Sequence, residues 1–272
     1  METAVYKKNN YGNWVSLKII LTVLCTSLLF LLLWVVANRL HFTSPILHLT
    51  VESLKIIFLV GLIFFAFWLF YFLIARWMFS NNGGKVQEKI IGLLLEHIQY
   101  PEISTILDIG CGNGYLSILL AQKYPGAKLT AIDYWKGLWG YSEEQSEKNA
   151  ENEGVLSQIT FKQASASDLP FEDETFDLVV SNLVFHEVSD VSDKKDVIKE
   201  ALRVVKKGGF FVFQDLFLAK MIYGDMDSLM NSMKSCGIKE VHYIDTSKSK
   251  FIPFWLRLPF MVGTIALIYG VK

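Results

Sequence analysis

Ile106-Leu107-Asp108-Ile109-Gly110-Cys111-Gly112-Asn113-Gly114-Tyr115 is the stretch that decides how this chain folds. An apolar run ends in an acid, three glycines alternate with other residues, and an apolar helical pattern opens at Tyr115. That order predicts a strand, a tight turn and a helix start. There, free backbone N–H groups and the positive end of the helix dipole face a nucleotide-like ligand. The spacing narrows the ligand. A dinucleotide fingerprint begun at Gly110 and Gly112 needs its third glycine at 115, where the chain has Tyr115.

Around this turn, strand and helix patterns alternate. Helical spacing over Lys85–Ile98 leads into a strand at Thr105–Ile109, and a helix follows over Tyr115–Lys123. Further strands are predicted at Lys128–Asp133, Ile159–Gln163, Phe176–Ser181, Phe210–Phe213, Val241–Asp245 and Thr264–Gly270. Helices are predicted from a Ser142 cap to Glu153, over Lys194–Val205 with Gly208-Gly209 as its stop, and over Met226–Cys236. The continuous apolar run Leu178-Val179-Val180 suits a strand covered on both faces. Strict alternation predicts an α/β fold, a doubly wound and mostly parallel sheet.

The order D-x-G-x-G-x-G over Asp108, Gly110, Gly112 and Gly114 resembles the first motif of class I S-adenosylmethionine (SAM) dependent methyltransferases. The resemblance covers about residues 85–272 and is nearest to the group related to quinone and sterol methyltransferases. It implies a seven-stranded Rossmann-like sheet with an antiparallel last strand, and SAM as cofactor. It places the methionine and ribose parts against the turn, Cys111 included, and the ribose hydroxyls on Asp133, with Tyr134 flanking the adenosine. Ala164-Ser165-Ala166-Ser167-Asp168-Leu169-Pro170-Phe171 resembles the family's G-D-A-x-x-L-P-F. Ser165 replaces the acid that meets the adenine amino group; either Ser165 accepts that bond, beside Ala166, or Asp168 compensates. After the fourth strand, Asn182 is implied to line the cofactor and His186 to face the acceptor. Leu202 to Gly209 resembles the family's L-K-P-G-G turn, with Lys207 in place of proline.

Two roles stand open for His186: general base or acceptor contact, and hydrogen-bonded helix start. Asp215, ending the fifth strand, is the other catalytic candidate. The aromatic stretch Tyr134–Tyr141 reads either as a loop packed on itself or as a lid. The three cysteines and five histidines are scattered, so no disulfide framework, structural zinc or other metal site is expected.

The first third differs in kind. Residues 1–84 hold six Lys/Arg against two Asp/Glu, whereas residues 85–272 hold twenty against twenty-five. The acidic body argues against nucleic acid as a partner. Ile19–Ala37 and Ile56–Ala75 carry no charge and reach the ~20 residues that span a bilayer. Residues 1–80 are therefore expected to be a two-span anchor. Lys7, Lys8, Lys18, Arg76, Lys85 and Lys89 outnumber Arg39 and Lys55, which favours both termini, and the body, in the cytoplasm. The segment Phe251–Phe260 reads as an aromatic lip near the bilayer surface, before a last strand; a third span is the other reading.

Together these features predict a membrane-anchored methyltransferase acting on a small, amphiphilic, lipid- or quinone-like acceptor. A tethered enzyme for a water-soluble substrate and a non-catalytic SAM-binding partner of a membrane complex are the alternatives.

Overall fold

The computed structural model describes residues 9–99, 102–136 and 139–272. They form two compact units, residues 13–87 and a body of residues 9–12 with 88–272.

The first unit is a helical hairpin, α1 (Leu17–Arg39) and α2 (Pro45–Phe79). Both helices are long and apolar enough to cross a membrane by length and composition. Ser16 caps α1 by accepting from the Lys18 N–H, and Pro45 sits at the start of α2, where its missing N–H is not needed. α2 begins well before the charge-free run at Ile56. Thr50 and Ser53 return their hydroxyls to the carbonyls of Ile46 and Leu49, and Lys55 pairs with Glu52 at 2.6 Å, so polar residues continue the helix. The Phe30 ring fills the space a side chain would take at Gly61. Asn13 donates to the Arg76 carbonyl at 2.9 Å and Arg76 donates to that of Val15, fastening the start of α1 to the end of α2.

The body follows α3 (Val86–Glu96) with β1 (Thr105–Ile109), α4 (Tyr115–Lys123), β2 (Lys128–Asp133), α5 (Glu143–Asn152), β3 (Ile159–Gln163) and β4 (Phe176–Asn182). Then come α6 (Lys194–Arg203), β5 (Val205–Asp215), α7 (Lys220–Tyr223), α8 (Met226–Lys234), β6 (Glu240–Asp245) and β7 (Ala266–Val271). The seven strands lie in the order β3-β2-β1-β4-β5-β7-β6. β1 to β5 pair in parallel, and β7 runs antiparallel to both β5 and β6. Ile106, Leu107, Val179, Val180, Phe211 and Phe213 are fully buried, as strands covered on both faces require.

Two expectations change, and a third holds with shifted bounds. Gly208-Gly209 does not end a helix: α6 stops at Arg203, and both glycines lie inside β5, which is longer at each end than Phe210–Phe213. Gly208 donates to the Lys272 carbonyl at 2.6 Å, and the β4–β5 register shifts between Phe176 and Leu178, so the pair marks a strand irregularity. The tail after Pro259 forms the last strand as expected, β7, beginning at Ala266 rather than Thr264. In the lip before it, Ile252 and Leu256 are buried while Phe254 and Phe260 are exposed. Finally, residues 9–12 pack with the body, although they precede the hairpin and fell inside the expected anchor.

Candidate active site

The parallel strands bring their carboxyl ends to one edge of the sheet, where open α/β sheets hold ligands. β1 ends in the glycine turn. Gly110 has φ +75°, and a side chain there would lie 2.1 Å from Val184, so the turn and the loop after β4 touch backbone to side chain. Gly110 and Cys111 both donate to the Ile132 carbonyl of β2, at 2.8 and 2.9 Å. Asp108 is buried and accepts the Ser117 hydroxyl at 2.5 Å, fastening β1 to α4; burial pushes its carboxyl up to about 7. Burial also holds the Cys111 thiol well above its ordinary range, which makes it packing rather than a nucleophile.

Asp133 closes β2 beside this turn. One carboxylate oxygen accepts the Gly112 N–H and the other the Trp135 N–H, both at 2.8 Å. The Trp135 indole N–H and the Ser146 hydroxyl donate back to the Gly112 carbonyl, each at 2.9 Å. Gly112 is thus gripped through both its backbone groups. Trp135 adopts φ +48°, which a bulky residue takes only where its surroundings enforce it. The described part of the aromatic stretch is therefore fastened to the turn. Tyr134 is exposed with Lys136 over its ring, and Tyr141 lies against Gly112. Burial, with Asp133 nearby, pushes the Tyr141 hydroxyl up to about 12.

At the end of β3, Ala166 is buried and Ser165 bonds Ser167, hydroxyl to hydroxyl, at 2.8 Å. One oxygen of Asp190 lies 3.1 Å from the Ser165 hydroxyl and 2.6 Å from that of Ser167, so the three groups share two hydroxyl protons. The carboxylate that meets the Ser165 hydroxyl is that of Asp190, from the loop after β4, while Asp168 is exposed and pairs with Ser165 in an isolated backbone bridge. No motif pointed to Asp190, because 25 residues separate it from Ser165. At the end of β4, the Asn182 side-chain oxygen is buried with no partner within the protein.

His186 and Asp215, the two catalytic candidates, lie in contact. Asp215, fully buried at the end of β5, accepts the N–H groups of Val184, Phe185 and His186 on one oxygen. Its other oxygen accepts the Leu216 N–H and lies 2.6 Å from His186 Nδ1. His186 Nε2 is 3.4 Å from Glu187. Burial alone would lower the imidazole pKa, but the Asp215 charge and hydrogen bond, helped by Glu187, outweigh it and raise it to about 10. At neutral pH the ring is a cation that donates protons. A group in this state does not act as a general base. Asp215, saturated by five donors, organises the loop; the buried Tyr223 hydroxyl, its pKa raised first by burial and then by Asp215, faces the same carboxylate.

These groups suit an adenosine-bearing cofactor. The orphaned Asn182 oxygen needs a donor, the Asp133 carboxylate retains lone pairs for a vicinal diol, and the glycine turn lets a ligand approach the backbone. Residues 107–213 match the family model described as a methyltransferase domain. The chain is 31% identical over 146 residues to an uncharacterized methyltransferase of Synechocystis, covering 54% of this chain and 62% of that one. It is 24% identical over 209 residues to the ubiquinone/menaquinone biosynthesis C-methyltransferase of Desulfotalea psychrophila, covering 63% and 75%. The chain spans about half the length of most curated relatives it matches. Among solved structures, geranyl diphosphate methyltransferase in complex with SAM superposes with a TM-score of 0.52 at 17% identity, over 74% of this chain and 89% of that one. At that identity the likeness establishes the fold.

Proposed function

We propose that this chain, which carries a class I SAM-dependent methyltransferase domain, transfers the methyl group of that cofactor to a small amphiphilic or lipid-like acceptor at the cytoplasmic face of a membrane. The observation that carries the reading is the Asp133–Gly112–Trp135 lock at the end of β2, together with the unpartnered Asn182 oxygen at the end of β4. The two long apolar helices support the membrane setting, and the name of the quinone-biosynthesis relative supports the acceptor class.

In this reading Asp133 holds the ribose, the glycine turn and the start of α4 hold the methionine part, and Asn182 receives a donor from the cofactor. The cofactor, when bound, supplies an electrophilic methyl group on a sulfonium. The protein's part is to align an acceptor in line with it and to exclude water. His186, with one ring nitrogen on Asp215 and the other facing Glu187, positions the loop after β4 beside the acceptor rather than removing its proton. An acceptor that is already nucleophilic, such as a carbanion-like carbon or a thiolate, fits a site without a free base.

The test is to incubate membranes containing the protein with methyl-labelled SAM and separate lipid, protein and soluble fractions. Label is expected in the lipid fraction. Label confined to water-soluble products overturns the lipid acceptor and favours a tethered enzyme for a soluble substrate. Binding of SAM with no label in any fraction favours a non-catalytic role.

A further inference from the structure

The residues just before the hairpin lie against the glycine turn. Asn10 donates its N–H to Asn149 Oδ1 at 3.1 Å, and its carbonyl accepts from Asn149 Nδ2 at 3.0 Å and Asn113 Nδ2 at 2.9 Å. Asn113 belongs to the turn and is buried; Asn149 lies on α5 and also donates to the Asn113 carbonyl at 2.9 Å. The Tyr11 ring stacks on Tyr115, the first residue of α4, at 4.5 Å between centroids, and its hydroxyl donates to Glu153. Gly12 has φ +77°, and a side chain there would lie 2.4 Å from the Tyr141 ring. The same ring would sit 3.2 Å from a side chain at Gly112. Tyr141 is thus held between Gly12 of the strap and Gly112 of the turn.

Resting on the methyltransferase reading above, we propose that residues 10–12 are a positioning strap of the cofactor site: they clamp Asn113, Tyr115 and Tyr141 around the glycine turn and pre-organise it for the cofactor. A turn carrying three glycines at positive φ has unusual freedom to lose when it orders around a ligand. The strap removes that freedom before binding. Without it, the buried Asn113 amide loses its acceptor and Tyr141 loses one of its two walls. The cofactor then has to supply the ordering, and its apparent affinity falls. Residues 13–87 separate the strap from the turn in the sequence, so the cofactor site is assembled from two chain segments.

The test uses the full chain in detergent micelles and S-adenosylhomocysteine as the probe, with binding followed by calorimetry. Gly12→Val evicts the strap from Tyr141, and Asn10→Pro removes its N–H donor. Each is expected to weaken binding at least about tenfold, with faster hydrogen exchange at residues 112–117 of the apo protein that saturating S-adenosylhomocysteine slows again. Tyr11→Ala, which removes the ring contact with Tyr115, is expected to weaken binding as well. Parent-like affinity in both Gly12→Val and Asn10→Pro overturns the strap while leaving the methyltransferase reading intact. A parent protein that binds neither S-adenosylhomocysteine nor SAM overturns the methyltransferase reading and the strap with it.

Discussion

At the scale of single residues, Asp133 and His186 make opposite demands on the solvent. Asp133 spends one lone pair on each backbone donor, Gly112 and Trp135, and offers the rest outward. Asp133→Ala is expected to weaken S-adenosylhomocysteine binding by more than about tenfold, measured by calorimetry. His186 is held as a cation, so the rate of methyl transfer is expected to stay flat between about pH 6 and 9; a rate climbing with each pH unit there would restore the general-base role. The same ring makes stability depend on pH. Its folded pKa, about 10, lies above the ordinary 6.5, so its contribution is complete below about pH 6.5 and fades as pH rises toward 10. Asp108, raised to about 7 by burial, also loses stability with rising pH, over the lower window from about 4 to 7. Melting His186→Gln and Asp108→Asn across pH separates the two: the first flattens the alkaline slope, the second the acidic one. The sequence announced Asp133, Asn182, His186 and Asp215 because each closes or follows a strand whose apolar run is plain. It gave no sign of Asp190, since a pairing with two serines across a loop has no period, or of Trp135, whose left-handed backbone is imposed by its own indole bond to Gly112.

At the scale of elements, the joint between β1 and the loop after β4 controls the site. Gly110 has no room for a methyl group against Val184 and sits at a φ that L residues avoid. Gly110→Ala is expected to destabilise the body by about 2–4 kcal/mol, measured by denaturant unfolding, and Val184→Ala in the same chain is expected to recover part of the loss. Strand boundaries were legible to within a residue or two for β1, β2 and β3, where Gly, Pro and acids bracket β-branched runs. β5 was misread because Gly208-Gly209 carries the composition of a helix stop. Its role as a strand irregularity is set by the Lys272 carbonyl, which the local sequence does not contain. The length of α2 was likewise hidden: the charge-free window marked only its apolar stretch, while the side-chain bonds of Thr50, Ser53 and Glu52 extend it.

At the scale of the whole molecule, the proposed membrane reading makes a definite topological claim. A cysteine introduced by Thr43→Cys, between α1 and α2, is expected to react with a membrane-impermeant maleimide in intact cells, whereas Lys250→Cys is expected to react only after lysis; the reverse pattern inverts the orientation. Composition gave no sign that residues 9–12 pack with the body, because a strap of Asn, Tyr and Gly looks like any polar segment. That strap has a consequence for biogenesis. Asn10 and Asn149, 139 positions apart, latch a loop of chain with the hairpin inside it. The latch forms only when the segment before α1 and the body after α2 emerge in one compartment, so any crossing by α1 must be matched by a return through α2. A nascent chain that inserted only one helix would strand the latch halves on opposite sides and leave the glycine turn unclamped. In the proposed membrane setting, the latch therefore tests whether the two ends of the hairpin share a side, and leaves the choice of side to the lysines and arginines that flank the helices.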